Sequence, residues 1–198
     1  MHATTYGVGE LIRKIADSGI RKILIGIGGS ATNDMGIGMA AALGYRFYDG
    51  NWEEVEPMAY NLGKIEHIRR PEKELDISIT VACDVDNPLC GPNGATYTFG
   101  RQKGVLEDQM EELDRCVEHM ASVLQKEFGI DVRQIPGAGA AGGLGAALLV
   151  FLKAELKSGI ELFLDTIHFD ELLKKADLVF TGEGRIDWQS VAGKVPVG

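Results

Sequence analysis

The sequence predicts an α/β domain with a largely parallel sheet and flanking helices. Three observations carry this reading. Short apolar runs alternate with longer segments of helical spacing, the pattern of strands linked by crossover helices. Glycine is abundant, 26 of 198 residues, against a usual share of about 7%, and it clusters in four loops rather than forming a low-complexity tract. Two of these loops directly follow a strand-like run and a third follows a weaker one. In α/β sheets, ligands gather at the carboxyl ends of strands.

The elements follow in chain order. Gly9–Ser18 sets Leu11, Ile12 and Ile15 at helical spacing, and Gly19 supplies a stop. Lys22–Ile27 reads as a short buried strand. Asp34–Leu43 reads as a small-residue helix opened near Asn33 or Asp34, both good N-caps, and ended by Gly44. Tyr45–Tyr48 is a strand candidate, and Asn51–Arg70 is polar with no clear period. Ile77–Val81 is the weaker β-branched strand. Leu106–Phe128 is an amphipathic helix with Met110, Leu113, Val117, Met120, Ala121 and Leu124 on its apolar face and a solvated acidic face. Gly142–Leu156 is a second helix with a glycine-rich start. Gly159–Leu164 is a strand candidate, Phe169–Lys175 a short helix and Asp177–Phe180 a buried strand. Gly182–Asp187 reads as a loop, with a further helix beginning at Trp188–Ala192. No repeat or linker-like tract divides the chain, so residues 1–198 are expected to form a single domain. Both ends read as cut within a pattern.

Composition narrows the function. A net charge of −9 argues against a broad nucleic-acid or anionic-membrane footprint. The apolar stretch around Leu144–Leu152 is too short to span a bilayer, and no secretory signal opens the chain. Cys83, Cys90 and Cys116 lack metal-ligand spacing, and their odd number forms no disulfide framework. A reducing cytoplasm fits. The histidines are scattered and form no triad.

The loops carry the chemistry. GIGGSATND (Gly26–Asp34) departs from both the dinucleotide fingerprint and the P-loop. Gly28 and Gly29 permit close backbone approach, and Ser30, Thr32 and Asn33 offer donors to phosphate or carboxylate oxygens. ACDVDNPLCGPNGA (Ala82–Ala95) sets Asp84 and Asp86 just past a strand. A carboxylate there suits a hydroxyl-proton acceptor or a magnesium ligand, although an Asx-turn into Pro88 explains the same residues. PGAGAAGGLGAA (Pro136–Ala147) has no ionisable side chain, so Gly137, Gly139, Gly142 and Gly143 offer backbone N–H groups, close packing or both. TGEGRIDWQSVAGK (Thr181–Lys194) places Glu183, Arg185 and Asp187 within five residues. They either pair with one another or combine phosphate neutralisation with metal or base chemistry. Lys103, in GRQKG, and Lys194 are further phosphate partners. Phosphate-cradling turns beside carboxylates point to phosphoryl transfer.

Together these segments resemble the bacterial glycerate kinase family usually called type 1. TTYGVGELI, GIGGSATNDMGIGMAAALG, ACDVDNPLCGPNGAT, FGRQKG, PGAGAAGGLGAAL and DLVFTGEGRIDWQSVAGKVPVG stand in that family's order and cover nearly all of Thr4–Gly198. The resemblance implies a flavodoxin-like, Rossmann-like domain. It also implies ATP- and Mg2+-dependent phosphorylation of D-glycerate, commonly to 2-phosphoglycerate. Asp84 and Asp187 then share the roles of base and magnesium neighbour, with Glu183 as a second metal carboxylate. The Gly28–Asn33 and Gly137–Gly143 loops bind phosphate or the glycerate carboxylate, and Lys103, Arg185 and Lys194 balance charge. Family members are about double this length. Their segments before TTYG and beyond GK-x-P-x-G form a second α/β domain, and the cleft lies between the two. The chain therefore resembles the inserted central domain, expected to be inactive alone. The rival expectation is a non-catalytic ligand-binding module of the same fold. Met35 departs from the family, which usually has glycine there.

Overall fold

The computed structural model describes residues 3–180. They divide into two compact units, one ending at Leu156 and the other beginning at Lys157.

In the first unit, helix α1 (Tyr6–Asp17) leads into strand β1 (Lys22–Gly26). Helix α2 (Ile37–Ala42) and a two-stranded antiparallel ribbon, β2 (Arg46–Tyr48) with β3 (His67–Arg69), follow. Strand β4 (Ser78–Ala82) then pairs in parallel with β1. Helices α3 (Ala95–Phe99), α4 (Met110–Phe128) and α5 (Ala140–Leu152) come next, and the unit ends within β5 (Glu155–Lys157). The main sheet has the order β1-β4-β5. This is the expected α/β class, a parallel pair flanked by helices, with α1 on α2 and α5 on both α2 and β4.

Side-chain alternation decides how the sheet is covered. Ile79 and Val81 of β4 are buried, and Ile23 and Ile25 of β1 pack against the same core. The opposite face carries Leu24, 63% exposed. Helix α4 buries all six of the expected apolar residues. The segment that looked patternless hides a one-turn rhythm: Leu62, Ile65 and Ile68 are buried at every third residue, through a 3₁₀ turn (Ala59–Lys64) into β3.

Four expectations need correction. Gly142–Leu156 is not one helix: α5 is broken by the left-handed Ala141 (φ 52°), Gly142 (φ 72°) and Gly143 (φ 87°), it ends at Leu152, and Glu155 and Leu156 belong to β5. Helix α2 starts at Ile37, not Asp34, because Met35 (φ 50°) and Gly36 (φ 69°) take the left-handed conformation and cannot join a right-handed helix. In the second unit, Gly159–Leu164 lies within helix α6 (Gly159–Thr166), not a strand. Its apolar residues fit both periods, alternating at Ile160, Leu162 and Leu164 but also helical at Ile160, Phe163 and Leu164. The longer reach to Thr166 and an acidic Glu161 in the first turn favour the helix. Helix α7 (Phe169–Leu173) follows. Asp177–Phe180 is neither strand nor buried: Leu178 is 70% and Phe180 90% exposed. A strand needs a ladder partner, and Asp177–Phe180 has none among the described residues.

An aromatic cluster anchors the core of the first unit. Tyr45 and Phe151 have ring centroids 4.7 Å apart, with Phe128 edge-on to Phe151 at 5.4 Å. The Tyr45 hydroxyl donates to Phe151 O at 3.1 Å. Burial, reinforced by Glu74 and opposed by Arg70, pushes this phenol from 10.0 up to about 12. A folded pKa above the unfolded value means that the stabilisation is complete below about pH 10 and is lost as pH rises towards 12. Denaturant titrations at pH 9 and pH 11.5 are expected to show an alkaline loss of about 2 kcal/mol that Tyr45→Phe removes. An equal alkaline loss in the variant would assign the effect to other groups.

Candidate functional site at the carboxyl edge of the sheet

Gly26 and Ala82 are register partners at the carboxyl ends of β1 and β4, and Ile27 N–H adds a bond to Ala82 O at 3.2 Å. Neighbouring strands lie about 5 Å apart. The loop holding Gly28–Asn33 and the loop holding Asp84 therefore leave the sheet side by side.

The first loop turns from exposed to buried along its length. Gly28 and Gly29 are exposed, and Gly29 has φ 56°. Ser30 Oγ is buried and has no hydrogen-bond partner among the described residues. Asn33 is 6% exposed; its Nδ2 donates to Thr96 Oγ1 at 3.2 Å, and its Oδ1 has no partner among the described residues. Asp34 is fully buried. Its Oδ2 accepts from Thr5 N–H (2.7 Å), Thr5 Oγ1 (2.9 Å) and Thr4 Oγ1 (3.3 Å), and its Oδ1 from Gly36 N–H (3.1 Å). These donors occupy the carboxylate, so Asp34 is a clasp joining the entry to α1 with the loop, not a metal carboxylate.

Lys103 sits on a 3₁₀ turn (Arg101–Lys103) after α3 and reaches back to the loop, where Nζ donates to Thr32 O at 2.9 Å. Burial pushes its pKa below the usual lysine value, with Asp34 acting in the opposite sense. Thr32, Asn33, Lys103 and Val105 line a recess of about 10 Å³.

Asp84 and Asp86 are both exposed, just past β4. Behind them Asn87 Nδ2 donates to Asn93 O at 2.9 Å, which organises the turn into Pro88.

Gly137, Gly139, Gly142 and Gly143 are all buried. Met35 N–H donates to Gly142 O at 3.0 Å, and Gly139 N–H to Asn87 O at 3.1 Å. A Cβ at Gly142 (φ 72°) would overlap Thr32 O, and one at Gly139 would overlap Pro88 O. Close backbone packing alone thus requires glycine at both positions. Glu183, Arg185, Asp187 and Lys194 lie outside the described residues.

Sequence reasoning missed Thr96, which is fully buried and holds the Asn33 amide. Thr96 stands in α3, whose sequence ATYTF gives no signal that separates it from Thr98. No cluster of three or more metal-ligating side chains occurs among the described residues. Mg2+ is commonly held by one or two carboxylates plus substrate phosphates and water. The exposed Asp84 and Asp86 fit that donor chemistry. No helix among the described residues is long and apolar enough to cross a membrane.

This is an α/β domain with its candidate ligand loops side by side at the carboxyl edge of a parallel pair. The glycerate kinase family model matches residues 1–198. A glycerate kinase from Bacillus cereus and a glycerate 2-kinase from Escherichia coli K12 are each 50% identical to it, covering 98% of this chain and 52% of their own length. A crystal structure from Salmonella typhimurium LT2, provisionally named glycerate kinase 2, superposes with a TM-score of 0.83 at 45% identity, over 98% of this chain and 53% of that one. The chain belongs to the glycerate kinase family. It spans about half the length of the curated relatives it matches.

Proposed function

We propose that the full-length protein carrying this chain is a glycerate kinase. It would transfer the γ-phosphoryl group of ATP to D-glycerate, with Mg2+, giving 2-phosphoglycerate in a cytoplasmic setting. Family membership over the whole chain carries this reading. The loops that the family shares also emerge from adjacent strand ends, with Lys103 bonded to Thr32.

In the proposed reaction a glycerate hydroxyl oxygen attacks the γ-phosphorus in line. The new O–P bond forms as the bond to the bridging β–γ oxygen breaks, and ADP leaves. The hydroxyl proton passes to a carboxylate, Asp84 or Asp187, and the other carboxylate stands near the metal with Glu183. Bound Mg2+ supplies charge neutralisation at the phosphate oxygens. The Gly28–Asn33 and Gly137–Gly143 loops surround the ligand anions, and Lys103, Arg185 and Lys194 offset charge. Most of the catalysis in such transfers comes from positioning and electrostatics.

A coupled assay of the full-length protein with ATP, Mg2+ and D-glycerate is expected to show steady phosphoglycerate formation. EDTA should stop it, and added Mg2+ should restore it. ATP hydrolysis without phosphoglycerate, or no ATP-dependent product at all, would overturn the reading.

A further inference from the structure

Strand β1 has the sequence of an interior strand and the surroundings of an edge strand. Ile23, Leu24, Ile25 and Ile27 form a nearly continuous apolar run, with no charge after Lys22 and no proline. Parallel strands read this way because both faces of their sheet are covered, whereas strands with one wet face alternate apolar with polar residues. Yet β1 has one strand partner, β4, and stands at the end of the order β1-β4-β5. Its Leu24 is 63% exposed.

Two surfaces of β1 are left open. The first is a face. Lys22, Leu24 and Gly26 share it with their register partners Ser78, Thr80 and Ala82. The three β1 residues and Ser78 are exposed, and Thr80 and Ala82 are half-buried. The core packs on the opposite face, where Ile79 and Val81 are buried. The second is an edge. Ser78 N–H donates to Arg21 O at 2.7 Å and Ile27 N–H to Ala82 O at 3.2 Å. The odd-numbered residues therefore bond towards β4, and the backbone groups of Lys22, Leu24 and Gly26 point to the edge that no described strand occupies. Native edges are blunted by charges, proline or bulges. The run Ile23–Gly26 has no charge or proline and keeps an unbroken register.

We infer that polypeptide outside residues 1–198 of the full-length protein covers both surfaces, laying a strand along the free edge of β1 and the apolar stripe of a helix over Leu24. Length argues for this occupant. The chain spans 52% of its curated relatives and 53% of the Salmonella structure, so nearly as much polypeptide again is tethered in the same molecule. Tethering gives it an effective concentration that a second copy does not match. A strand with its crossover helix supplies both elements at once, which is how parallel sheets are extended. The sheet is then shared with the rest of the protein, unlike that of an inserted domain complete in itself. Because β1 runs into the Gly28–Asn33 loop, the covering segment also steadies a candidate ligand loop.

Photo-crosslinking of the full-length protein provides the test. With Leu24→p-benzoylphenylalanine, ultraviolet light is expected to join position 24 to a peptide outside residues 1–198, in a product that runs as a monomer. A crosslink within residues 1–198, a product of doubled mass from a second copy, or no crosslink overturns the inference. Leu24→Lys should lower the Tm of the full-length protein by at least about 5 °C, because it places a charge where a leucine is buried. An unchanged Tm overturns the inference as well. Hydrogen exchange on the wild type serves if the variants fail to fold. The Leu24 and Gly26 amides should exchange at least about 1000-fold more slowly than in an unstructured peptide, at any protein concentration. Rates within about tenfold of that peptide, or protection lost on dilution, overturn it. None of these measurements involves ATP or glycerate, so the interface and the kinase reading fail separately.

Discussion

Replacing Asp84 by asparagine in the full-length protein is expected to lower turnover about 10²- to 10⁴-fold, the usual worth of a positioned acid–base group. Folding should be little affected. Asp84 is exposed, two residues past the end of β4, and the asparagine side chain has nearly the same shape. The loss should therefore fall on kcat, with KM for glycerate nearly unchanged, because a proton acceptor acts mainly in the transition state. Raising the pH should not rescue the variant, since an amide does not titrate. Steady-state kinetics on the folded variant check this. Near-normal kcat would transfer the base role to Asp187 and leave Asp84 as the residue that opens the turn towards Pro88.

Gly142→Ala should be the most damaging small substitution in the loops. The added methyl would overlap Thr32 O and press on Asn33 Cα, at a backbone position with φ 72°. The left-handed conformation costs an L-residue about 1–2 kcal/mol, and forcing a methyl into packed backbone adds about 1–3 kcal/mol. Together they predict a loss of about 2–5 kcal/mol in denaturant titration. Gly104→Ala is the internal control. Gly104 has φ 85° but nothing within 4 Å of a Cβ, so it should show the conformational cost alone. If the two variants lose the same stability, the close approach of the loops contributes nothing.

Much of the fold is legible because it depends on local pattern. The six apolar positions of α4 follow from periodicity, and every one of them is buried; the parallel sheet follows from the alternation of strand-like and helical segments, though not which strands pair. The misses have specific causes. Ile160–Leu164 satisfies two periods at once, and only the length of the segment separates them. The start of α2 depends on two left-handed residues, one of them Met35, and no propensity scale foretells φ 50° at a methionine. Here a methionine pays strain but fills the core, where it is 1% exposed.

The candidate site was legible as a set of loops but not as chemistry. Residue type makes Asn33 a donor to ligand oxygens and Asp34 an N-cap. Tertiary partners add to this: the Thr96 hydroxyl, 63 residues away, accepts one amide N–H of Asn33, and Thr4 and Thr5 donate to the Asp34 carboxylate. Long-range hydrogen bonds leave no trace in a single sequence.

Three links join segments far apart in the chain: Met35 N–H to Gly142 O, Gly139 N–H to Asn87 O, and Lys103 Nζ to Thr32 O. Breathing motions at this edge are therefore collective. One loop cannot lift away without breaking a link to another, so the three share a single opening free energy, as the amides of a cooperative unit do. A ligand that immobilises one loop damps the fluctuations of all of them, and the entropy of ordering the edge is lost once rather than loop by loop.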